Sequence, residues 1–247
     1  MNIGRNSPHV CAVDGKIYVF GGARRAWYEY DGGFIGDVYD PVKDKWDCLP
    51  KLADFWGHSH VSPMNVVLDD PKDTTNKLIL LHIRHTKPLY AYNVRKKIWE
   101  CFDDEFGDEF PSSYYMWPTN VVVDNFLCCY FTRGGFFSYD LNGKEWHNIH
   151  GILGLESDDR FHPTMKEYEP ALFHLGGNIL CFLWSYDQHR SYDYCGQYLI
   201  GCAKFKLVAT NDKRSERDQS SLSLTQHRLG YFRLQVHDYR PESYVLL

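Results

Sequence analysis

The 247-residue chain has no run of eighteen apolar residues, so no segment reads as a membrane-spanning helix. Its opening, MNIGRNSPHV, lacks the apolar core of a signal peptide, and no Asn-x-Ser/Thr acceptor free of proline occurs. No phosphate-binding loop, Gly-x-Ser-x-Gly elbow or His-Glu-x-x-His pair is present, which leaves three familiar catalytic signatures unfilled. Positive charge is short as well: 27 Lys and Arg against 32 Asp and Glu give a net charge of −5. That balance supplies no basic field for nucleic acid or an anionic membrane. Eight cysteines are present but none forms a C-x-x-C pair, and Cys128-Cys129 are adjacent, where a mutual bridge is strained. Cys48 and Cys101 each follow a tryptophan by two residues, in Trp46-Asp47-Cys48 and Trp99-Glu100-Cys101. A recurring buried strand position filled by a small hydrophobe is expected there. These spacings predict reduced, structural thiols in a cytoplasmic or nuclear protein.

What is present is apolar and periodic. At 44% hydrophobic and 16% aromatic the chain can bury a sizeable core, and one all-β domain of this length is ordinary. Val38-Tyr39-Asp40 is followed by Trp46, Ala91-Tyr92-Asn93 by Trp99, and Ser138-Tyr139-Asp140 by Trp146. In each case Asp or Asn precedes Trp by six residues, and the unit recurs after 53 and then 47 residues. Two strand-like runs lie upstream of each signature. In the first unit they are residues 9–14 and 16–20, split by Asp14-Gly15, a pair that accepts positive φ in a tight hairpin. The second unit has 65–68 and 78–83 around a polar insertion at 69–76, and the third has 119–123 and 126–132 around Asp124-Asn125. A fourth begins at 171–174, turns at Gly176-Gly177 and continues over 178–184. Units of four short strands cannot bury both faces alone, so they must stack.

The string from Val10 to Gly22, with its double glycine Gly21-Gly22, then Tyr39-Asp40-Pro41 and Trp46, resembles the kelch repeat. Over roughly residues 9–207 the chain most resembles the kelch regions of plant F-box/kelch-repeat proteins. The resemblance implies an all-β, kelch-type β-propeller with about four visible blades, near 9–50, 65–102, 119–149 and 171–207, its ring closure left open. Residues 210–247 read as a charged linker followed by a tail or an extra strand. The structural repeat consists of Gly21, Gly22, Tyr39, Asp40, Trp46, Tyr92, Asn93, Trp99, Tyr139, Asp140 and Trp146. The three tryptophans are expected on fourth strands, mostly buried.

For function, the resemblance implies a substrate receptor for a cullin-type ubiquitin ligase. No F-box is visible ahead of a first strand near residue 9, so the expectation is a receptor-like protein-interaction module rather than an enzyme. Its partners would be one or more proteins, with no nucleic acid, membrane, metal or cofactor. The competing reading is an iron-assisted kelch-fold specifier protein or another small-molecule enzyme. The nearest match to that family's Glu-x-x-x-Asp-x-x-x-His motif is Glu100, Asp104 and Asp108, with aspartate where histidine belongs, inside an acidic run that reads as a solvated loop. His58-Ser59-His60 offers two imidazoles but no nearby third ligand. Long connections at 23–36, 53–64, 103–118, 150–170 and 185–196 are expected on one face, with only 69–76 opposite. Within them Arg24, Arg25, Trp27, Tyr28, Phe55, Trp56, Tyr115, Trp117, Tyr186 and Arg190 are the candidate partner-binding residues, because Tyr, Trp and Arg dominate binding hot spots.

Overall fold

The computed structural model describes residues 1–2, 4–5, 8–22, 35–52, 61–83, 86–107, 119–131, 135–150, 170–187, 198–210 and 221–234. Sixteen strands and no helix lie among them. Strands β1 (His9–Val13), β2 (Lys16–Phe20), β3 (Gly36–Asp40) and β4 (Lys45–Cys48) form blade 1. Blade 2 comprises β5 (Val61–Asp70), β6 (Asp73–Ile83), β7 (Leu89–Asn93) and β8 (Ile98–Asp103). Blade 3 comprises β9 (Thr119–Val123), β10 (Phe126–Phe131), β11 (Gly135–Asp140) and β12 (Glu145–His150). Blade 4 comprises β13 (Ala171–His174), β14 (Ile179–Asp187), β15 (Tyr198–Thr210) and β16 (Ser221–Leu234). In each blade the strands neighbour one another in chain order, so the described chain is all-β and built of four-stranded, propeller-type blades. The chain divides into two compact units, Met1–His147 and Asn148–Leu247.

In the first unit the turns explain why the repeat takes the residues it does. The β1–β2 turn places Asp14 at φ 49° and Gly15 at 71°, the left-handed pair that a two-residue hairpin needs. The four-residue turns after β3, β7 and β11 end on Asp44, Lys97 and Lys144, all at positive φ. Each turn is braced by the side chain that precedes it. Asp40 Oδ1 accepts from the Val42 amide at 3.1 Å, Asn93 Oδ1 from Lys96 at 3.0 Å, and Asp140 Oδ1 from Asn142 at 2.8 Å. Asp and Asn recur here because a short carboxyl or amide can cap its own turn. The stretch 69–76 is not a connection of its own. It extends the β5–β6 hairpin, which turns at Pro71-Lys72. The ladder continues through it because Asn76, buried, donates to Asp70 and Asn93 at 2.9 Å each and accepts from the Arg95 amide at 3.1 Å.

Blade 2 is apolar on both faces, and its two faces belong to two cores. Ile79, Leu81, Ile83, Tyr90 and Tyr92 pack with Val13, Tyr18, Phe20 and Leu49 of blade 1. The alternate residues Leu78, Leu80, Leu89 and Ala91 pack with Leu127, Cys129, Phe131 and Tyr139 of blade 3. Period-two side-chain alternation therefore divides β6 and β7 between two neighbours. Each fully buried Leu or Ile contributes about 1.5–3 kcal/mol. The first strands sit side by side, β1 next to β5 and β5 next to β9.

The three tryptophans occupy the second position of β4, β8 and β12. They are half-buried rather than mostly buried, because the fourth strand is the edge of its blade. Their rings lean on the repeat tyrosines with centroids 5.0 Å apart for Tyr39–Trp46, 5.1 Å for Tyr92–Trp99 and 5.1 Å for Tyr139–Trp146. The Trp99 indole N–H donates to the Pro50 carbonyl at 2.9 Å, and that of Trp146 to the Phe106 carbonyl at 3.1 Å. Both acceptors lie just past the outer strand of the preceding blade. Among the described residues Trp46 makes no such bond. Cys48 and Cys101 are exposed, correcting the buried position expected of them. The outward end of an edge strand has no neighbour to cover it.

In the second unit β13 to β16 form an antiparallel meander. β14 pairs with β15 from Ile179↔Lys206 to Asp187↔Tyr198, and β15 with β16 from Tyr198↔Leu234 to Thr210↔Ser221. A short parallel pairing, Ile149↔Leu222 and His150↔Ser223, joins β16 to the end of β12. Leu172, Leu180, Phe182, Trp184, Ala203, Phe205 and Leu207 are buried here. The Cys181 and Cys202 sulfurs lie 3.6 Å apart as free thiols. Residues 211–220 and 235–247 lie outside the described residues.

The tryptophan contacts set an expectation for unfolding in urea. Trp99→Phe and Trp146→Phe should each lose about 0.5–1.5 kcal/mol with the hydrogen bond, and Trp46→Phe less. Truncation of Trp99 or Trp146 to alanine should cost about 3 kcal/mol, the lower end for large aromatics, since both are only half-buried.

Candidate partner-binding site

Arg24, Arg25, Trp27 and Tyr28 fall between β2 and β3, Phe55 and Trp56 between β4 and β5, Tyr115 and Trp117 between β8 and β9, and Arg190 between β14 and β15. All nine lie outside the described residues, as do His58, His60 and Asp108. Tyr186 is placed differently from its loop expectation. β14 runs on to Asp187, and Tyr186 pairs through its backbone with Leu199 because the ladder with β15 continues past Trp184. Glu100, on β8, accepts from Lys96 at 3.3 Å and from Asn93 at 3.5 Å, while Asp104 is exposed.

What the structure builds is the neck from which the 23–34 segment leaves blade 1. The Gly21 amide donates to the Ile35 carbonyl at 2.9 Å, closing the two strand ends. Gly21 and Gly22 both adopt φ of 65°, a region costly for a side chain. A Cβ on Gly36 would stand 2.4 Å from the Val19 carbonyl oxygen. Over this neck lies a buried ion pair. Arg5 Nε donates to Asp37 Oδ2 at 3.0 Å, its Nη2 lies 2.9 Å from the same oxygen, and its Nη1 donates to the Gly21 carbonyl at 2.7 Å. Asn2 donates to Asp37 Oδ1 at 3.1 Å. The Arg5 and Asp37 side chains have no exposed surface. Desolvation of two charges is recovered only when geometry is close and the remaining groups are bonded. Here Arg5 Nε and Nη1 and both Asp37 oxygens are hydrogen-bonded, while the buried Nη2 is held by its ion-pair contact alone. Sequence reading missed both residues. The available signal was Asp37 itself, a carboxylate where blades 2 and 3 hold Tyr90 and Phe137 at the same distance from the repeat tyrosine.

From the turns after β1, β3 and β7 along to Cys48, Leu49 and Pro50 beside the neck, blades 1 and 2 enclose a cleft of about 710 Å³. Tyr18, Tyr92, Leu49 and Pro50 line its apolar part, and Lys16, Asp40, Asp47 and Lys97 stand around it. Lys16 and Lys43 approach Asp40 at 3.5 and 3.8 Å. The Lys45 ammonium, hydrogen-bonded to Asp47, holds that carboxyl below its ordinary range. Burial pushes the Tyr18 hydroxyl up to about 12 and raises that of Tyr92, so both remain protonated donors.

A family model described as Kelch motif matches residues 4–53, the first blade with its Arg5 neck. An F-box/kelch-repeat protein of Arabidopsis thaliana is 25% identical over 234 residues, 91% of this chain and 49% of the relative. Another from the same plant is 23% identical over 155 residues, 63% of this chain and 34% of the relative. A kelch-like protein of Aspergillus terreus is 31% identical over 105 residues, 40% of this chain and 22% of that protein. The chain spans half the length, or less, of the relatives it matches.

The neck predicts an asymmetry among variants. Asp37→Ala should cost about 3–5 kcal/mol, because it strands a buried guanidinium. Arg5→Met combined with Asp37→Leu should cost less than Asp37→Ala alone, as read from urea midpoints at constant slope.

Proposed function

We propose that this chain is a protein-interaction module, the substrate-receptor part of an adaptor of the kind its F-box/kelch-repeat relatives are named for. The observation that carries the reading is the neck. A fully buried Arg5–Asp37 pair and three constrained glycines hold the ends of a segment rich in Arg, Trp and Tyr. Rigid frames that present variable segments are recognition scaffolds, since binding residues concentrate on loops held this way. The similarity to F-box/kelch-repeat proteins supports a receptor role in ubiquitination. Arg24, Arg25, Trp27, Tyr28, Phe55, Trp56, Tyr115, Trp117 and Arg190 supply the contact surface, and the chain acts by binding rather than by catalysis. Free thiols at Cys11, Cys48, Cys101, Cys128, Cys129, Cys181 and Cys202 suit a cytoplasmic or nuclear setting.

The test replaces Arg24, Trp27 and Trp56 singly with alanine. Affinity capture of the wild-type partner should fall by more than tenfold for at least one variant, with the melting temperature unchanged, as for a hot-spot truncation. Capture that survives all three substitutions would reject the assignment.

A further inference from the structure

The cleft between blades 1 and 2 contains two groups that the fold itself does not use. Tyr18 is 4% exposed and Tyr92 is 3% exposed, their rings 6.0 Å apart and tilted by 54°. Both line the cleft, and among the described residues neither hydroxyl has a hydrogen-bond partner. Unlike that of Tyr139, neither hydroxyl is a fully buried unbonded atom, so both open onto the cleft and are free to donate to a ligand there. The repeat does not require this pair. Counted from the repeat tyrosine's cross-strand partner, the position of Tyr18 is taken by Leu80 in blade 2 and by Cys128 in blade 3. Tyr92 is itself a repeat tyrosine, yet its situation differs from that of Tyr39. Tyr39 donates to Asp44 of its own turn at 2.6 Å. The corresponding turn residue is Lys97 in blade 2 and Lys144 in blade 3, neither of which can accept; the Tyr139 hydroxyl is left buried and unbonded, whereas that of Tyr92 opens onto the cleft.

The surroundings narrow the ligand. Leu49 and Pro50 give one apolar wall, and charges of both signs stand above it. Lys16 is engaged by Asp40, whereas Lys97 makes no ion pair among the described residues. A ligand that fits has hydrogen-bond acceptors for two phenols, an apolar group for the wall, and a negative charge for one ammonium. Resting on the interaction-module reading, we propose that this cleft binds an extended peptide segment of a partner protein. Main-chain carbonyls accept from Tyr18 and Tyr92, an apolar side chain lies on Leu49 and Pro50, and an Asp or Glu pairs with Lys97. A peptide main chain provides carbonyl acceptors at regular spacing while its side chains alternate, so one extended segment meets the hydroxyls and the rim together.

The probe is a phage-displayed library of random peptides selected on the full chain. Selected peptides are then made with a fluorophore and titrated by anisotropy. The expected result is binders carrying an acidic residue beside an apolar one. Their affinity should fall about tenfold or more on Tyr18→Phe with Tyr92→Phe, and again on Lys97→Glu. The double Phe variant removes only two oxygens and should melt no lower than wild type. A selection that returns no binder, peptides indifferent to the Phe variant, or a Phe variant of lower melting temperature would each overturn the proposal. So would Tyr-dependent binding found only on a glycan array. Partner capture lost in the Arg24, Trp27 or Trp56 variants but intact in the double Phe variant would overturn the cleft and leave the module standing. Capture lost in neither set would overturn the module itself.

Discussion

The indole N–H of a fourth-strand tryptophan, closed on the backbone carbonyl just beyond the preceding blade's outer strand, sets the spacing on which the first unit depends. It occurs twice, from Trp99 to Pro50 and from Trp146 to Phe106, at 2.9 and 3.1 Å. A sheet of four short strands with both faces apolar has no stable state alone. What gives β6 and β7 their place is a neighbour at a fixed distance on each side, so that Ile79, Leu81 and Tyr92 interdigitate one way and Leu80 and Ala91 the other. Burial provides most of the free energy, and the indole bond provides the register. The repeat tyrosine completes the arrangement by filling the space beneath the indole ring, at about the same separation in all three blades.

Function follows from what such a stack leaves over. The strands are committed to one another, and chemistry is left to the blade ends and to the cleft between blades 1 and 2. At one end the Arg5–Asp37 pair fixes a neck and hands on a segment of arginines and aromatics. Between blades 1 and 2, from the turns capped by Asp40 and Asn93 to Leu49 and Pro50, runs a cleft onto which the Tyr18 and Tyr92 hydroxyls open. The groups that line the cleft are held in place by the strands that carry them, and binding by groups already in place lowers its entropy cost.

The repeat was visible in sequence because its parts are local: Tyr, Asp or Asn, and Trp lie within eight positions, and turn chemistry fixes their spacing. Asp14-Gly15 announced its hairpin for the same reason. Features that join distant residues did not show. The Arg5–Asp37 pair spans 32 positions and occurs once, so no repetition marks it. The 69–76 stretch read as an insertion since its polarity hides a ladder satisfied internally by Asp70, Asn76 and Asn93. Cys48 and Cys101 read as buried because their spacing from Trp repeats, yet spacing cannot say that a strand lies at an edge. β16 carries no Tyr-Asp or Trp signature, and its pairing with β15 is settled by the partner strand. The unused phenol of Tyr92 was legible only after the turns were aligned, when Lys97 appears in the place of Asp44. The aromatic and arginine residues between the strands were read from residue type alone, and nine of the ten lie outside the described residues.

Native-state hydrogen exchange tests the central claim, that blade 2 is held by simultaneous contact with both neighbours. Amides of β6 and β7 should be the most protected in the first unit and exchange only by global opening. Trp99→Phe, although confined to the outer strand of blade 2, should speed exchange in β2 and β3 of blade 1 together with β6 and β7. Acceleration limited to β8, with blade 1 protected as before, would contradict the account and make the blades independent folding units.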